Sequence, residues 1–170
     1  MIENFEKSLN MLLKSEGGFV DNPADPGGMT NLGVTAKTWG SFMGRDTNEK
    51  EMRNLTPEKV APLYEKKYWD ACMCDDLPSG IDYLMFDFAV NAGPGRAIKM
   101  LQKVIGVPED GSIGPVTLQN IAVTDKTDLI ARFSNAKKEF YESLPTFATF
   151  GKGWLKRIDE ARGNASAMVG

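Results

Sequence analysis

The chain contains no histidine. Ser-His-Asp hydrolases, Cys-His peptidases and histidine-ligated zinc amidases all require an imidazole as base or ligand, so that whole group of chemistries is excluded. Cysteine is nearly absent as well. Cys72 and Cys74 flank a single residue, a spacing that strains disulfide geometry and supplies neither the ligand count nor the spacing of a zinc site. Free thiols fit this pattern, as does folding before any oxidising compartment is reached. No apolar run is long enough to span a bilayer, and the N-terminus, with Glu3, Glu6 and only Lys7 early on, lacks a signal-peptide n-region. Synthesis in the cytoplasm, with no stable membrane insertion, is the expectation. A net charge of -3 argues against a nucleic-acid role, because phosphate binding normally shows as a basic stripe.

What is present is enough apolar material for one sizeable core: 170 residues at 42% hydrophobic content support a single domain with a small appended subdomain, packed as one compact unit. There is no tandem repeat, low-complexity tract or linker-like shift in composition. Basic residues concentrate late, at Lys126, Arg132, Lys137, Lys138, Lys152, Lys156, Arg157 and Arg162. Such a run reads either as a solvated helix face or as a contact for an anionic envelope.

The most informative residue is Glu16, within the run EGGFVDNPADPGGMTNLGVT from Glu16 to Thr35. Ile2, Phe5, Leu9 and Leu12 recur at helical spacing, and one further step of the same rhythm lands on Glu16. The acid is therefore expected in the last turn of the first helix, on its packed side, with Gly17 and Gly18 stopping the helix. A packed surrounding and the negative end of a helix dipole both favour a neutral carboxylic acid, the form that protonates a leaving-group oxygen in glycoside hydrolysis. The alternative for Glu16 is a solvated surface acid. Asp25 and Thr30 follow on a Pro- and Gly-rich loop that returns toward the helix end. They can hold a water beneath a sugar ring, or they can be ordinary turn residues.

Glu16-Gly17-Gly18-Phe19, Pro23, Asp25, Gly27-Gly28, Thr30, Gly33 and Thr35, with Lys67-Tyr68-Trp69 and the run from Phe86 to Gly93, resemble the signature of glycoside hydrolase family 108. That family comprises N-acetylmuramidases found among phage endolysins and proteins once called secretion activators. The resemblance implies cleavage of the β-1,4 bond between N-acetylmuramic acid and N-acetylglucosamine in peptidoglycan, with Glu16 as catalytic acid. It also implies a mainly α-helical, lysozyme-like fold with at most a small β-hairpin after Glu16, and export through a holin. The order of Glu, Asp and Thr is similar to the triad of T4-type phage lysozymes, although the Asp25 to Thr30 step is one residue shorter here. Attack by carboxylates alone is also the one usual route through peptidoglycan that needs no imidazole. Carboxyl groups roughly 6.5 to 9.5 Å apart would invert the anomeric centre, and about 5 Å would retain it. The chemistry needs no metal and no organic cofactor. The expected substrate is a glycan strand, and a monomer suffices to bind it.

Thr56-Pro57 opens a helix, with Thr56 as N-cap, Pro57 at the first helical position and Leu55 stapling against Val60. Val60, Leu63 and Tyr64 go to the core. Tyr68 and Trp69 at its end either stack on sugar faces or close the core. The helix from about Ser79 to Asn91 is apolar nearly all round, which makes it the central buried helix. Asp87 and Asn91 share one flank of it, as a hydrogen-bonded pair or as lining of the sugar cleft. With Asn22, Tyr68 and Trp69 they form the substrate-contacting candidates, and Asp87 is the reserve second carboxylate.

A third long helix uses Ala97, Ile98, Leu101, Val104 and Ile105 and stops at Gly106. The stretch from Leu101-Gln102 through Asp110-Gly111 to Gly114-Pro115-Val116-Thr117 resembles small helical peptidoglycan-binding modules with a DGxxGPxT signature. The expected division is a catalytic region over 1-92 and a binding-module-like region over 93-170. Two helices close the chain, the last ending before Gly163, with Asn164 to Gly170 frayed. Trp39 to Asn54 is the least regular interior segment, read as a mobile lip of the cleft or as a surface loop. Two non-enzymatic alternatives remain: a peptidoglycan-binding module that does not cut, and a structural component of a secretion or virion apparatus.

Overall fold

A computed structural model describes residues 2-21, 23 and 28-169. The mainly helical, lysozyme-like class expected from sequence is what it shows, with a single two-stranded hairpin among the described residues. The chain forms two compact units, Phe5–Lys67 and a second made of Met1–Asn4 with Tyr68–Gly170.

In the Phe5–Lys67 unit, α1 (Ile2–Leu13) contributes Phe5, Leu9 and Leu12, all buried on one stripe as the spacing predicts. Each such side chain contributes roughly 1.5-3 kcal/mol when removed from water. The helix closes earlier than expected. Its regular bonding stops at Leu13, and Ser15 and Glu16 donate to Leu12 and Leu13 in tight i→i-3 turns. Glu16 therefore lies three residues beyond the helix rather than in its last turn. Strands β1 (Thr30–Asn31) and β2 (Val34–Thr35) follow, then α2 (Ala36–Met43), α3 (Glu49–Arg53) and α4 (Pro57–Tyr64).

The stretch Trp39 to Asn54 is thus not an irregular loop. Thr35 and Asn48 cap α2 and α3 with their side chains, and Trp39 and Met52 are buried. Between the two helices, Trp39 Nε1, Arg45 and Thr47 all donate to the Glu51 carboxylate. The Arg45 hydrogen bond, then that of Thr47, holds this carboxyl below its usual range. Short helices of this kind form through caps and tertiary anchors that periodicity does not register. The Thr56 cap and Pro57 start of α4 are as expected, with Leu55 and Val60 both buried.

A π-helical turn at Glu65–Trp69 carries the chain from the Phe5–Lys67 unit into the second, which continues with a 3-10 turn and then α5 (Ile81–Ala92), α6 (Pro94–Ile105), α7 (Pro115–Val123), α8 (Lys126–Glu142) and α9 (Phe147–Val169). Every residue of α5 from Ile81 to Ala89 is buried, so it is the central helix the sequence predicts. Gly106 caps α6 in the left-handed conformation, and Pro115 opens α7. Contrary to expectation, α9 runs through Gly163 to Val169 instead of fraying. Its end is packed, not free: Ala165 is fully buried, and its carbonyl oxygen would lie 2.7 Å from any Cβ added at Gly80. The close seat at Gly80 anchors the end of α9 beyond Gly163, a residue type that by itself weakens a helix interior.

Candidate functional site

The geometry around Glu16 starts with the hairpin turn. Asn31 pairs with Val34, leaving Leu32 and Gly33 as a two-residue loop, and both have positive φ, at 52 and 77°. That is the backbone of a type I′ turn, which suits the twist of a hairpin but strains any residue with a Cβ. Leu32 is held there by both of its polar backbone groups. Its N–H donates to the Gly17 carbonyl at 3.2 Å, and its carbonyl accepts from the Tyr64 hydroxyl at 2.8 Å.

The same two anchors fix the turn against Glu16. A Cβ placed on Gly33 would meet the Tyr64 hydroxyl oxygen at 2.7 Å and Glu16 Oε2 at 2.9 Å. The half-buried Glu16 carboxylate and the buried Tyr64 hydroxyl thus converge on one bare Cα. Backbone bonds between Val20 and Thr30, 2.8 Å in both directions, tie the segment after Glu16 to β1. Asn31 Nδ2 donates to the Met52 carbonyl at 2.8 Å, and the Arg53 guanidinium stacks 4.1 Å above the Phe19 ring, so α3 braces the loop from behind. We expect Gly33→Ala to destabilise this turn, since the new methyl, at a positive φ, must displace the Glu16 carboxylate or the Tyr64 hydroxyl. Melting curves of the variant beside the wild type check this, and an unchanged melting temperature would contradict it.

Thr30 is half-buried on this hairpin and pairs with Thr35. Asp25 and Asn22 lie outside the described residues. Gly33 belonged to the sequence signature, but Tyr64 was legible only as a core residue. Its hydroxyl bond reaches back 32 positions, which local spacing does not encode.

The remaining candidates lie in the second unit. Trp69 is 1% exposed, its ring edge-on to Phe86 and its Nε1 donating to Asp75. Of the two roles open to it, closing the core fits this placement. Tyr68 is half-buried beside it in the chain. Asp87 and Asn91 part company: Asn91 is exposed, whereas Asp87 is 3% exposed. Asp87 accepts from Lys137 Nζ at 3.1 Å and lies 3.5 Å from Arg157. Lys137 is consequently a core cation rather than part of a solvated basic face. Burial, reinforced by the Asp87 charge, pushes the neighbouring Tyr141 phenol up to about 12.

The DGxxGPxT region is a closed polar knot. Gln102, fully buried, donates to Asp110, to the Ser112 carbonyl and to Thr117, and accepts from the Gly111 N–H. The side chains that make the signature are thus spent on one another, and they hold the α6–α7 connection in shape.

Comparison with known proteins places these features. Residues 9–93 match the family model described as Glycosyl hydrolase 108. A solved structure, "Structure of Brucella abortus SagA", is 40% identical, with a TM-score of 0.87 over 99% of this chain and 97% of that one. The chain belongs to glycosyl hydrolase family 108. Residues 96–159 match a second model, described as a Predicted Peptidoglycan domain. No curated protein sequence matches. Family membership makes this a chain of a glycoside hydrolase family associated with peptidoglycan, and the family match covers the Glu16 turn, the hairpin and Tyr64 alike. Among the described residues, no helix is long and apolar enough to cross a membrane.

Proposed function

We propose that this chain is an N-acetylmuramidase, hydrolysing the β-1,4 bond between N-acetylmuramic acid and N-acetylglucosamine in peptidoglycan. The observation that carries the reading is the convergence of the Glu16 carboxylate and the Tyr64 hydroxyl on the bare Cα of Gly33. A carboxyl group packed against this hydrogen-bonded turn is placed for a positioned proton transfer, the role of the general acid in glycoside hydrolysis.

In this reading Glu16 protonates the glycosidic oxygen. Asp25, with Thr30, activates or orients water from the opposite face of the sugar. Asp87, with two cations as partners, serves structure instead of chemistry. Tyr64 is a positioning residue: it fixes the turn that backs the acid. The Phe5–Lys67 unit carries the acid, and the region over 93-170 engages the wall, consistent with its peptidoglycan-domain match. The enzyme works as a monomer, reaching the wall through a holin.

Purified peptidoglycan digested with the protein and then reduced with borohydride tests the bond assignment. Muramitol at the new ends is the expected product. Glucosaminitol instead would make the protein a glucosaminidase and overturn the reading.

A further inference from the structure

The second unit holds a cavity of about 440 Å³ that the glycosidase chemistry does not use. Its floor is the Asp87–Lys137 pair, 3% and 1% exposed, joined by Arg157 from α9 and Arg96 from α6. Three cations and one carboxylate therefore line it. An ammonium has three N–H groups, and the hydrogen bond recorded for Lys137 uses one, to Asp87. The one carboxylate of the cavity is already engaged by cations, which outnumber it, while Asn91 and the Tyr141 hydroxyl can each donate or accept. The positive balance of the lining favours a ligand that brings negative charge.

The wall of the cavity is aromatic. The Tyr141 and Trp154 rings lie 5.1 Å apart and 33° from parallel, and the exposed Arg96 sits 4.6 Å above Phe140. The volume lies within the roughly 300-1,000 Å³ of small-ligand sites. Planar guanidinium forks recognise carboxylates, and flat apolar walls accept short acyl or alanyl groups. We infer that this cavity binds a free carboxylate of the peptidoglycan stem peptide, its backbone and methyl groups packed on Tyr141 and Trp154. The inference rests on peptidoglycan as the substrate. It gives the second unit a specific role, which is to read the peptide stems of the polymer whose glycan the first unit cuts.

The test uses the full chain carrying Glu16→Gln, so that binding is read without turnover, with and without Arg96→Gln. Arg96 is exposed, so its replacement leaves the core intact. The probes are a disaccharide-tetrapeptide with free stem carboxylates, the same molecule with those carboxylates amidated, and inorganic phosphate, titrated by calorimetry. Amidation and Arg96→Gln are each expected to weaken binding on the order of tenfold, as loss of a charge-assisted bidentate contact does. Equal affinity for free and amidated stems, or no effect of Arg96→Gln, overturns the inference. Phosphate that competes fully with the stem would assign the cavity to phosphate-bearing ligands and likewise overturn it. Wild-type digestion of peptidoglycan, run in parallel, is independent: stem binding without cleavage sinks the muramidase reading and leaves this one standing, and cleavage without carboxylate preference does the reverse.

Discussion

Asp87→Ala is expected to destabilise the protein by about 3-5 kcal/mol, the range for removing one partner of a buried ion pair. Lys137 is 1% exposed and hydrogen-bonded to Asp87 at 3.1 Å, so the substitution leaves an ammonium stranded among Phe88, Tyr141 and the central helix. For a chain of this size, that corresponds to a drop in melting temperature on the order of 10 °C. Desolvation leads to a second, sharper expectation. Replacing Asp87 and Lys137 together, Asp87→Met with Lys137→Met, removes the buried ammonium with its counter-charge, leaves unmade only the Asp87 contact of the part-exposed Arg157, and is expected to recover much of the lost stability. Chemical denaturation of the two variants decides the matter. A loss under about 1 kcal/mol for Asp87→Ala would mean that solvent reaches the pair and that it does not organise the helices around it. The double variant also separates stability from ligand recognition, because it keeps the core filled while removing the floor of the proposed carboxylate cavity.

Glu16→Gln is expected to fold like the wild type and to lose roughly 10²- to 10⁴-fold in turnover, the share of rate that a positioned proton donor supplies. Glutamine keeps the shape that packs against Gly33, and Glu16 is only half-buried, so little stability is at stake. Substrate affinity should change far less than turnover, since the proton is needed in the transition state and not for binding. Tyr64→Phe is a useful companion. It removes the hydroxyl that holds the Leu32 carbonyl at 2.8 Å and leaves the aromatic packing in place. A fall in turnover with retained binding would mark Tyr64 as the residue that positions the turn. Equal activity of Glu16→Gln and wild type would move the proton donor elsewhere.

Much of the helical framework was legible because it rests on local rules. The apolar stripe of α1, the Thr56 cap, the Pro57 and Pro115 starts and the Gly106 stop each follow from spacing or from one residue's backbone preference. The all-round apolar composition of α5 marked it as central for the same reason. What stayed hidden depends on partners far along the chain. Asp87 meets Lys137 fifty positions away, and no pattern on α5 announces which cation answers it. The continuation of α9 past Gly163 depends on a seat against Gly80. The α2 and α3 helices are short enough that caps and the Glu51 cluster decide them.

At the site, the rhythm of α1 led to Glu16 but placed it on the helix, whereas α1 ends at Leu13, and the backing of Glu16 was not legible at all. The strained Leu32 and the reach of the Tyr64 hydroxyl arise only once the hairpin folds against the end of α1. The DGxxGPxT resemblance is matched by the peptidoglycan-domain model over residues 96–159, and the buried hydrogen bonds of Gln102 add what sequence did not show, that these side chains also brace the α6–α7 connection.

Whether Glu16 cuts the wall is decided by the release of soluble muropeptides from one batch of purified peptidoglycan by wild type and by Glu16→Gln, with wall-bound protein measured in the same tubes. Catalysis by Glu16 predicts steady release by the wild type, release near background by the variant, and the same amount of both proteins bound to the wall. Wall binding by both with release by neither would contradict it and make the protein a peptidoglycan-binding module.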